Sequence, residues 1–352
     1  MNYNTFDITR LVRENVKALS PYSSARDEYV SDGSQMVFLD ANENPFESGV
    51  NRYPDPHQRT LKAALASHKG IHVDQILLGN GSDEVLDLLF RAFCEPKEDH
   101  IITLPPTYGM YKVLAGINNV GNKQILLKED FEPNVEGILK EANENTKLLF
   151  LCSPNNPTAN SFNRGLVEEL LVKFNGLVVV DEAYIDFSKE ASWMKELDNY
   201  PNLVVTQTLS KAYGMAGVRL GICYASKDII DVLNKIKAPY NVNELSQKRA
   251  LQRILDEETV NREIQDILSE RAALSRILGQ LSFVEKVYAS DANFILAKVD
   301  NANKRYNQLL ANGIVVRNRT TDPLCENTLR FTVGTKEENL KLITVLQNIT
   351  TA

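Results

Sequence analysis

Three apolar runs, each ending in a different reactive group, constrain this chain more than any other feature. Lys147 to Cys152 ends in Ser153-Pro154-Asn155-Asn156-Pro157-Thr158, Leu177 to Val180 ends in Asp181-Glu182-Ala183-Tyr184, and Leu203 to Val205 runs out towards Lys211. Short continuous apolar runs of this kind are how strands buried on both faces of a parallel sheet read in sequence. From about residue 60 such runs alternate with helical patterns, which predicts an α/β fold whose mostly parallel sheet is flanked by helices. Ligands of open α/β sheets bind outside the carboxyl ends of the strands. Here three of those ends deliver an amide, a carboxylate with a phenol, and an amine.

That set matches what a pyridoxal ring requires: an anion to keep the ring nitrogen protonated, donors to the phenolate oxygen, and a lysine that forms an imine with the aldehyde. Singly, each residue has an ordinary use: Asp181 as a helix cap, Asn156 in an Asx-turn, Lys211 as a solvated charge. Jointly, those uses need three coincidences. Lys211 stands in Thr208-Leu209-Ser210-Lys211-Ala212-Tyr213-Gly214, with Arg219 just beyond. An amine there is badly placed for a surface salt bridge and well placed for Schiff-base chemistry, which needs a desolvated amine able to shed its proton. Thr208, Ser210 and Arg219 supply hydroxyls and a planar cation for a phosphate.

A second anion site is written in Gly79-Asn80-Gly81-Ser82-Asp83-Glu84, between the strand Gln75–Leu78 and a helix over Val85–Phe93. Strand, glycine turn and helix N-terminus leave backbone N–H groups and the helix dipole facing a ligand. The turn is an incomplete dinucleotide fingerprint, because Glu84 stands where the third glycine belongs. A single phosphate is the better match, ahead of a plain capped helix and then a dinucleotide. Pro105-Pro106-Thr107-Tyr108-Gly109-Met110-Tyr111 follows the strand His100–Leu104; its Tyr108 either stacks on a flat ring or belongs to the core. Tyr53, in the loop Asn51 to Pro56, reads by itself as a packing residue.

A chain of 352 residues exceeds one ordinary core, so two domains are expected. The net charge of −7 argues against nucleic acid or an anionic membrane as partner. Cys94, Cys152, Cys223 and Cys325 lie too far apart for a zinc or disulfide pattern, and three of them sit among apolar residues as buried thiols; no metal is expected. The N-terminus lacks a signal-peptide core and no apolar run reaches the length of a membrane span, so the expected compartment is the cytoplasm.

The expected division is an N-terminal arm and helix over 1–30, a large domain over 31–242 and a small α+β domain over 243–352. In the arm, Ile8, Leu11, Val12 and Leu19 fall at helical spacing over 7–19 behind Asp7 as a cap, and Met36 to Leu39 reads as a strand. The small domain opens on a long helical stretch from Asn243 to about Gly279, with Ile264, Ile267, Leu268, Leu278 and Leu281 as core positions. Strands follow over Phe283–Tyr288, Asn293–Val299, Ile314–Arg319 and Leu329–Val333. The last helix starts at the capping box Thr335-Lys336-Glu337-Glu338. Strand alternation puts Arg317 and Arg319 on one face opposite Val316, and turns Arg330 away from Leu329 and Phe331. Arg319 reads as solvated, whereas Arg317 and Arg330 read as grips on an anionic substrate.

With these residues in hand, the chain resembles the fold-type-I pyridoxal-phosphate aminotransferases, and within them the histidinol-phosphate branch. The likeness covers nearly the whole length, through Ser20-Pro21-Tyr22, Leu39 to Pro45, Arg52-Tyr53-Pro54, the 79–84 turn, the 105–111 loop, Ser153 to Thr158, Asp181 to Tyr184, Thr208 to Arg219 and Leu329 to Gly334. It implies that Lys211 bonds the cofactor aldehyde and shuttles the proton, and that Asp181 partners the pyridine nitrogen. Tyr184 and Asn156 would donate to the ring oxygen, with Tyr108 stacked on the ring. Ser82, Asp83 through its backbone, Thr208, Ser210 and Arg219 would form the phosphate cup, completed by Tyr53 from the other subunit of a homodimer. Arg330 and Arg317, with Tyr22 and Asn42, would hold the substrate. The implied reaction is amino transfer from L-histidinol phosphate to 2-oxoglutarate, giving imidazole-acetol phosphate and glutamate in histidine biosynthesis. An aromatic aminotransferase or a phosphothreonine-type decarboxylase on the same fold is the alternative. The family usually has glycine after Asn-Pro-Thr, where Ala159 stands here.

Overall fold

The computed structural model describes residues 6–21 and 36–350; Tyr22 lies outside them. Seven strands build the large sheet: β1 (Ile76–Gly79), β2 (His100–Thr103), β3 (Gly121–Gln124), β4 (Thr146–Cys152), β5 (Leu177–Asp181), β6 (Leu203–Thr208) and β7 (Gly221–Ala225). Their order is β1-β7-β6-β5-β4-β2-β3, and β7 runs antiparallel to both its neighbours while β2 to β6 pair in parallel. Alternation along the strands splits the core in two. Leu149, Leu151, Val178, Val180 and Val205 pack on one side with Trp193 and Leu197. Leu148, Phe150, Val179 and Val204 pack on the other with Phe90 and Tyr111. Each buried Leu, Val or Phe contributes about 1.5–3 kcal/mol of transfer free energy. The double-sided burial therefore makes these strand ends a rigid base for side chains.

Four antiparallel strands form the second sheet, β8 (Val284–Val287), β9 (Phe294–Val299), β10 (Arg317–Asn318) and β11 (Thr328–Thr332), in the order β10-β11-β9-β8. Strand β9 serves both bodies. Its Phe294 and Leu296 join the large core, while Ile295, Ala297 and Val299 join the small one. The expected capping box is formed, with Thr335 N–H donating to Glu338 Oε2 at 2.8 Å and Glu338 N–H to Thr335 Oγ1 at 3.3 Å. Among the described residues no helix is long and apolar enough to cross a membrane. All four cysteines are free and buried, Cys325 included.

Four local expectations are corrected. The single helix over 7–19 is two short pieces, a 3-10 turn Ile8–Arg10 capped by Asp7 and a helical turn Glu14–Lys17. Between them Arg13 is anchored elsewhere, its N–H on Ala92 O at 3.1 Å and its guanidinium on Glu95. Met36 to Leu39 pairs with no strand among the described residues, and Val37 and Leu39 are 82% and 86% exposed. The helical stretch after Asn243 breaks at Asp256 into Glu244–Leu255 and Glu257–Leu278. Ala250, Ile254, Val260 and Ile264 on either side of the break pack into the large core, and the second helix runs on to place Leu274 and Leu278 in the small one. Finally, the strand expected over Ile314–Arg319 contracts to β10.

Candidate active site

The register of the central strands sets Cys152, Asp181 and Thr206 side by side at the carboxyl edge of the sheet. Asp181 shares the parity of Val179 and so points towards Tyr111, while its neighbour Glu182 points to the opposite face, towards Trp193. Asp181 is buried and accepts from Tyr111 O–H at 2.7 Å and from Ala183 N–H at 3.3 Å. Burial pushes its pKa up; the Tyr111 hydroxyl, then the Thr206 hydroxyl and the Ala183 N–H, pull it back.

Glu182 does a different job. It accepts from Ser192 Oγ at 2.5 Å, Trp193 N–H at 2.6 Å and Gln207 Nε2 at 2.8 Å, which ties the 188–196 segment to the sheet behind the site. Burial raises its pKa from 4.5 to about 7. A carboxyl whose folded pKa is raised favours folding most below pH 4.5, and that contribution is lost as pH rises through about 7. At about 1.4 kcal/mol per pH unit, the contribution is on the order of 3 kcal/mol. Glu182→Gln is expected to flatten the fall in Tm between pH 5 and 8; an unchanged slope in thermal melts would refute the assignment.

Lys211 sits in the loop between β6 and β7, its Nζ 5.6 Å from the centre of the Tyr184 ring. Tyr184 meets Phe294 edge-on at 5.1 Å, and the Arg330 guanidinium lies over Phe294 at 5.0 Å. Arg330 also donates to Asn156 Oδ1 at 2.5 Å. This bond assigns the two ends of the amide, leaving Asn156 Nδ2 as the donor towards the cleft. The Nε of Arg330 is buried without a hydrogen-bond partner. Lys211 is accessible in the cleft, yet partial burial and then Arg330 hold its pKa below the usual lysine range, with Arg219 adding to the effect; Asp181 and Asp83 oppose it. A lysine so placed gives up its proton more readily than a free one.

The turn before the Ser82–Phe93 helix supplies the second half of the site. Gly81 caps the helix without a side chain, at φ 85°, and leaves its first N–H groups free of a side-chain cap. A Cβ on Gly81 would stand 2.7 Å from Arg219 Nη2, and one on Gly221 would stand 2.2 Å from Ser82 N. Glycine at both positions lets β7, the turn and the guanidinium converge. Asp83 has its carboxylate engaged by Tyr108 O–H at 3.2 Å and by Arg219 at 3.9 Å, so its contribution to a ligand is its N–H. Thr208 Oγ1 lies 2.9 Å from Ser210 Oγ. Glu84, the residue that breaks the dinucleotide fingerprint, accepts from Asn80 N–H and from Asn241 Nδ2, clamping the turn from below.

Fully buried Asn155 joins the 105–111 loop to the 153–158 loop. It donates to Pro106 O at 2.8 Å and to Thr158 Oγ1 at 2.7 Å, and accepts from Thr107 at 3.1 Å. Ala159 adopts φ 69°, the left-handed conformation that suits glycine, with its N–H on Asn155 O at 2.7 Å. Its methyl is buried in the large core. Left-handed strain of about 1–2 kcal/mol is offset by about 0.8 kcal/mol of buried methyl and by the lower chain entropy of alanine, about 0.4–1 kcal/mol. Ala159→Gly should therefore leave ΔG of unfolding within about 1 kcal/mol of wild type. Ala159→Val should lower it by roughly 3 kcal/mol or more, because a β-branched residue tolerates positive φ badly. Denaturant melts of the two variants check both numbers.

The structure thus brings together Ser82, Asp83, Tyr108, Asn156, Asp181, Tyr184, Thr208, Ser210, Lys211, Arg219 and Arg330. Arg317 is the register partner of Arg330 on the same face of the small sheet. Arg319 corrects the reading of a solvated charge: it pairs with Asp322, its side chain only 22% exposed. Tyr53 and Asn42 stand apart, in the largely exposed 36–55 segment. Tyr53 is stacked on Tyr240 at 4.5 Å and lines a separate cleft of about 670 Å³ with Arg52, Glu244 and Lys248. The residue that sequence reasoning passed over is Tyr111. Its one signal was a second tyrosine three residues after Tyr108, and only packing says which way it points.

A cup of N–H groups, two hydroxyls and a guanidinium, a tyrosine face, a buried carboxylate and an amine fit a phosphorylated pyridine aldehyde in both charge and donor set. The fold and this site define a pyridoxal-dependent transferase of fold type I. The chain belongs to the aminotransferase class I and II family, whose model matches residues 34–346. It is 66% identical over 345 residues to the histidinol-phosphate aminotransferase of Flavobacterium johnsoniae, covering 98% of this chain and 99% of that one. The structure is similar to the histidinol-phosphate aminotransferase from Clostridium acetobutylicum (TM-score 0.79, 24% identity, 86% of this chain and 92% of that one). It is also similar to the Sinorhizobium meliloti enzyme of that name in complex with pyridoxal-5'-phosphate (TM-score 0.78, 22% identity, 85% and 83%).

Proposed function

We infer that this chain is a cytoplasmic, pyridoxal-phosphate-dependent transaminase that moves the amino group of L-histidinol phosphate to 2-oxoglutarate in histidine biosynthesis, giving imidazole-acetol phosphate and L-glutamate. The observation that carries this reading is the convergence of Lys211, Tyr184 and Asp181 at the ends of adjacent strands, in a chain 66% identical to a relative of that name. Pyridoxal phosphate, when bound, supplies the electrophilic carbon and the electron sink. Lys211 would take the proton from the substrate carbon bearing the amine and deliver it, across the nitrogen, to the cofactor's former aldehyde carbon. Asp181 holds a proton at the ring nitrogen. Tyr184 O–H and Asn156 Nδ2 donate to the ring oxygen, and Tyr108 covers one face. The cup of Ser82, Asp83 N–H, Thr208, Ser210 and Arg219 seats the phosphate.

One anion site must take a phosphate ester in one half-reaction and a dicarboxylate in the other. The forks of Arg330 and Arg317 suit both, because either anion offers paired oxygens to a guanidinium. Arg330→Gln is expected to lower kcat/KM for donor and acceptor alike by roughly a hundredfold, as for a lost charge-assisted bond, while the yellow absorbance persists. Equal kcat/KM in the variant would remove Arg330 from the site. The active unit in this reading is a homodimer in which Tyr53 reaches the partner's phosphate cup. Exposed Val37, Leu39, Phe46, Val50, Tyr53 and Leu245 support it, an apolar set that a monomer would rarely leave open.

The deciding experiment mixes cofactor-loaded protein with L-histidinol phosphate in a single turnover. The yellow absorbance should bleach, and 2-oxoglutarate should restore it. Bleaching by phenylalanine but not by histidinol phosphate would replace this reading with an aromatic aminotransferase, and release of carbon dioxide would replace it with a decarboxylase.

A further inference from the structure

Asp181 is gripped from behind by a side chain for which the chemistry above has no use. We infer that Tyr111 is a positioning residue, its hydroxyl keeping the Asp181 carboxylate ionised and aimed at the cofactor's ring nitrogen, an assignment that rests on the pyridoxal reading above.

The geometry allows little else. Tyr111 is fully buried and donates to Asp181 Oδ2 at 2.7 Å, while Oδ1 takes the Ala183 N–H at 3.3 Å. An ionised carboxylate only accepts, and its two oxygens offer about four lone-pair directions, so Tyr111, the neighbouring Thr206 hydroxyl and Ala183 still leave one for the ligand. The Tyr111 ring cannot swing away. It is stacked on Phe150 at 4.7 Å and 15°, Phe150 is stacked on Phe90 at 5.5 Å and 17°, and Tyr108 closes its edge at 5.5 Å and 86°. Spinning the ring about its own axis leaves the hydroxyl in place. An aromatic column thus runs through the second core and ends in one O–H aimed at one carboxylate. The same tyrosine also braces Tyr108, so it sets both the edge and the face of the ring site.

The consequence is a choice of where one proton rests. In a dry interior a carboxylate short of donors takes up a proton. Without the Tyr111 hydroxyl the proton shared between ring nitrogen and Asp181 shifts to the carboxyl oxygen, and the ring loses its positive charge. A neutral ring draws fewer electrons from the conjugated nitrogen, so the visible absorbance should titrate at higher pH.

Tyr111→Phe in the pyridoxal-phosphate-loaded protein tests this. The pH midpoint of the yellow band should rise, the cofactor Kd measured by reconstitution should increase roughly tenfold, and kcat should fall more than KM changes. Phe90→Leu, which loosens the same column two rings away, should lower Tm and leave midpoint and Kd at wild-type values. A wild-type midpoint and Kd in Tyr111→Phe, or the same shift in Phe90→Leu, overturns the assignment. Should Tyr111→Phe not fold, 3-fluorotyrosine at position 111, a stronger donor of nearly the same shape, is expected to move the midpoint down, and an unmoved midpoint is again fatal. If the unmodified protein forms no yellow species with pyridoxal phosphate, the pyridoxal reading itself fails, a result distinct from all of these.

Discussion

Lys211→Ala is expected to lose turnover by roughly four orders of magnitude or more and to lose the yellow absorbance of the loaded protein, because one amine provides both the covalent anchor and the proton shuttle. No neighbour can substitute for it. Among the groups around it, Tyr184 is held by burial well above the usual phenol pKa and so stays protonated at neutral pH, a donor and not a base. Arg330 and Arg219 are cations. The fold should survive, since Lys211 lies in a loop and its ammonium is disfavoured by partial burial and by those two guanidiniums. Apoprotein Tm is therefore expected within a degree or two of wild type. A yellow and active alanine variant would end the assignment.

Asp181→Asn should separate electron-sink chemistry from cofactor binding. The amide preserves shape, and its Oδ1 can still accept from Tyr111 or Ala183, but it carries no charge to hold a proton on the ring nitrogen. A loss of roughly 10²–10³ in kcat is expected, comparable to removing one preorganised electrostatic contact from a buried site. Stability should move the other way. Burial disfavours the Asp181 anion, so the neutral amide should leave the apoprotein as stable as wild type or more so. Parallel measurement of kcat and apoprotein Tm tests both halves; a variant with wild-type kcat would show that the ring proton does not depend on position 181.

How much of this was legible in the chain follows from how each feature is encoded. The placing of Asn156, Asp181 and Lys211 could be read because a parallel sheet puts the carboxyl ends of its strands on one edge, and apolar runs mark where strands stop. Glu84 could be read as the wrong residue for a dinucleotide, but not as the clamp on Asn80 and Asn241 that it is. The reading of Arg319 as solvated failed because its partner, Asp322, lies in a turn whose geometry no periodicity reports. Met36 to Leu39 failed for a related reason. An apolar run forms a strand only where another edge accepts it, and the described residues provide none.

By itself the sequence determined which chemical groups stand at which strand ends, and hence the class of reaction, because alternation and strand termination are local properties of a few neighbouring residues. Only the tertiary structure decided what stands behind those groups. Tyr111 meets Asp181 across 70 positions and Arg330 meets Asn156 across 174. Such pairs are fixed by how helices and sheets pack against one another, and packing is a property of the whole chain that no single stretch carries.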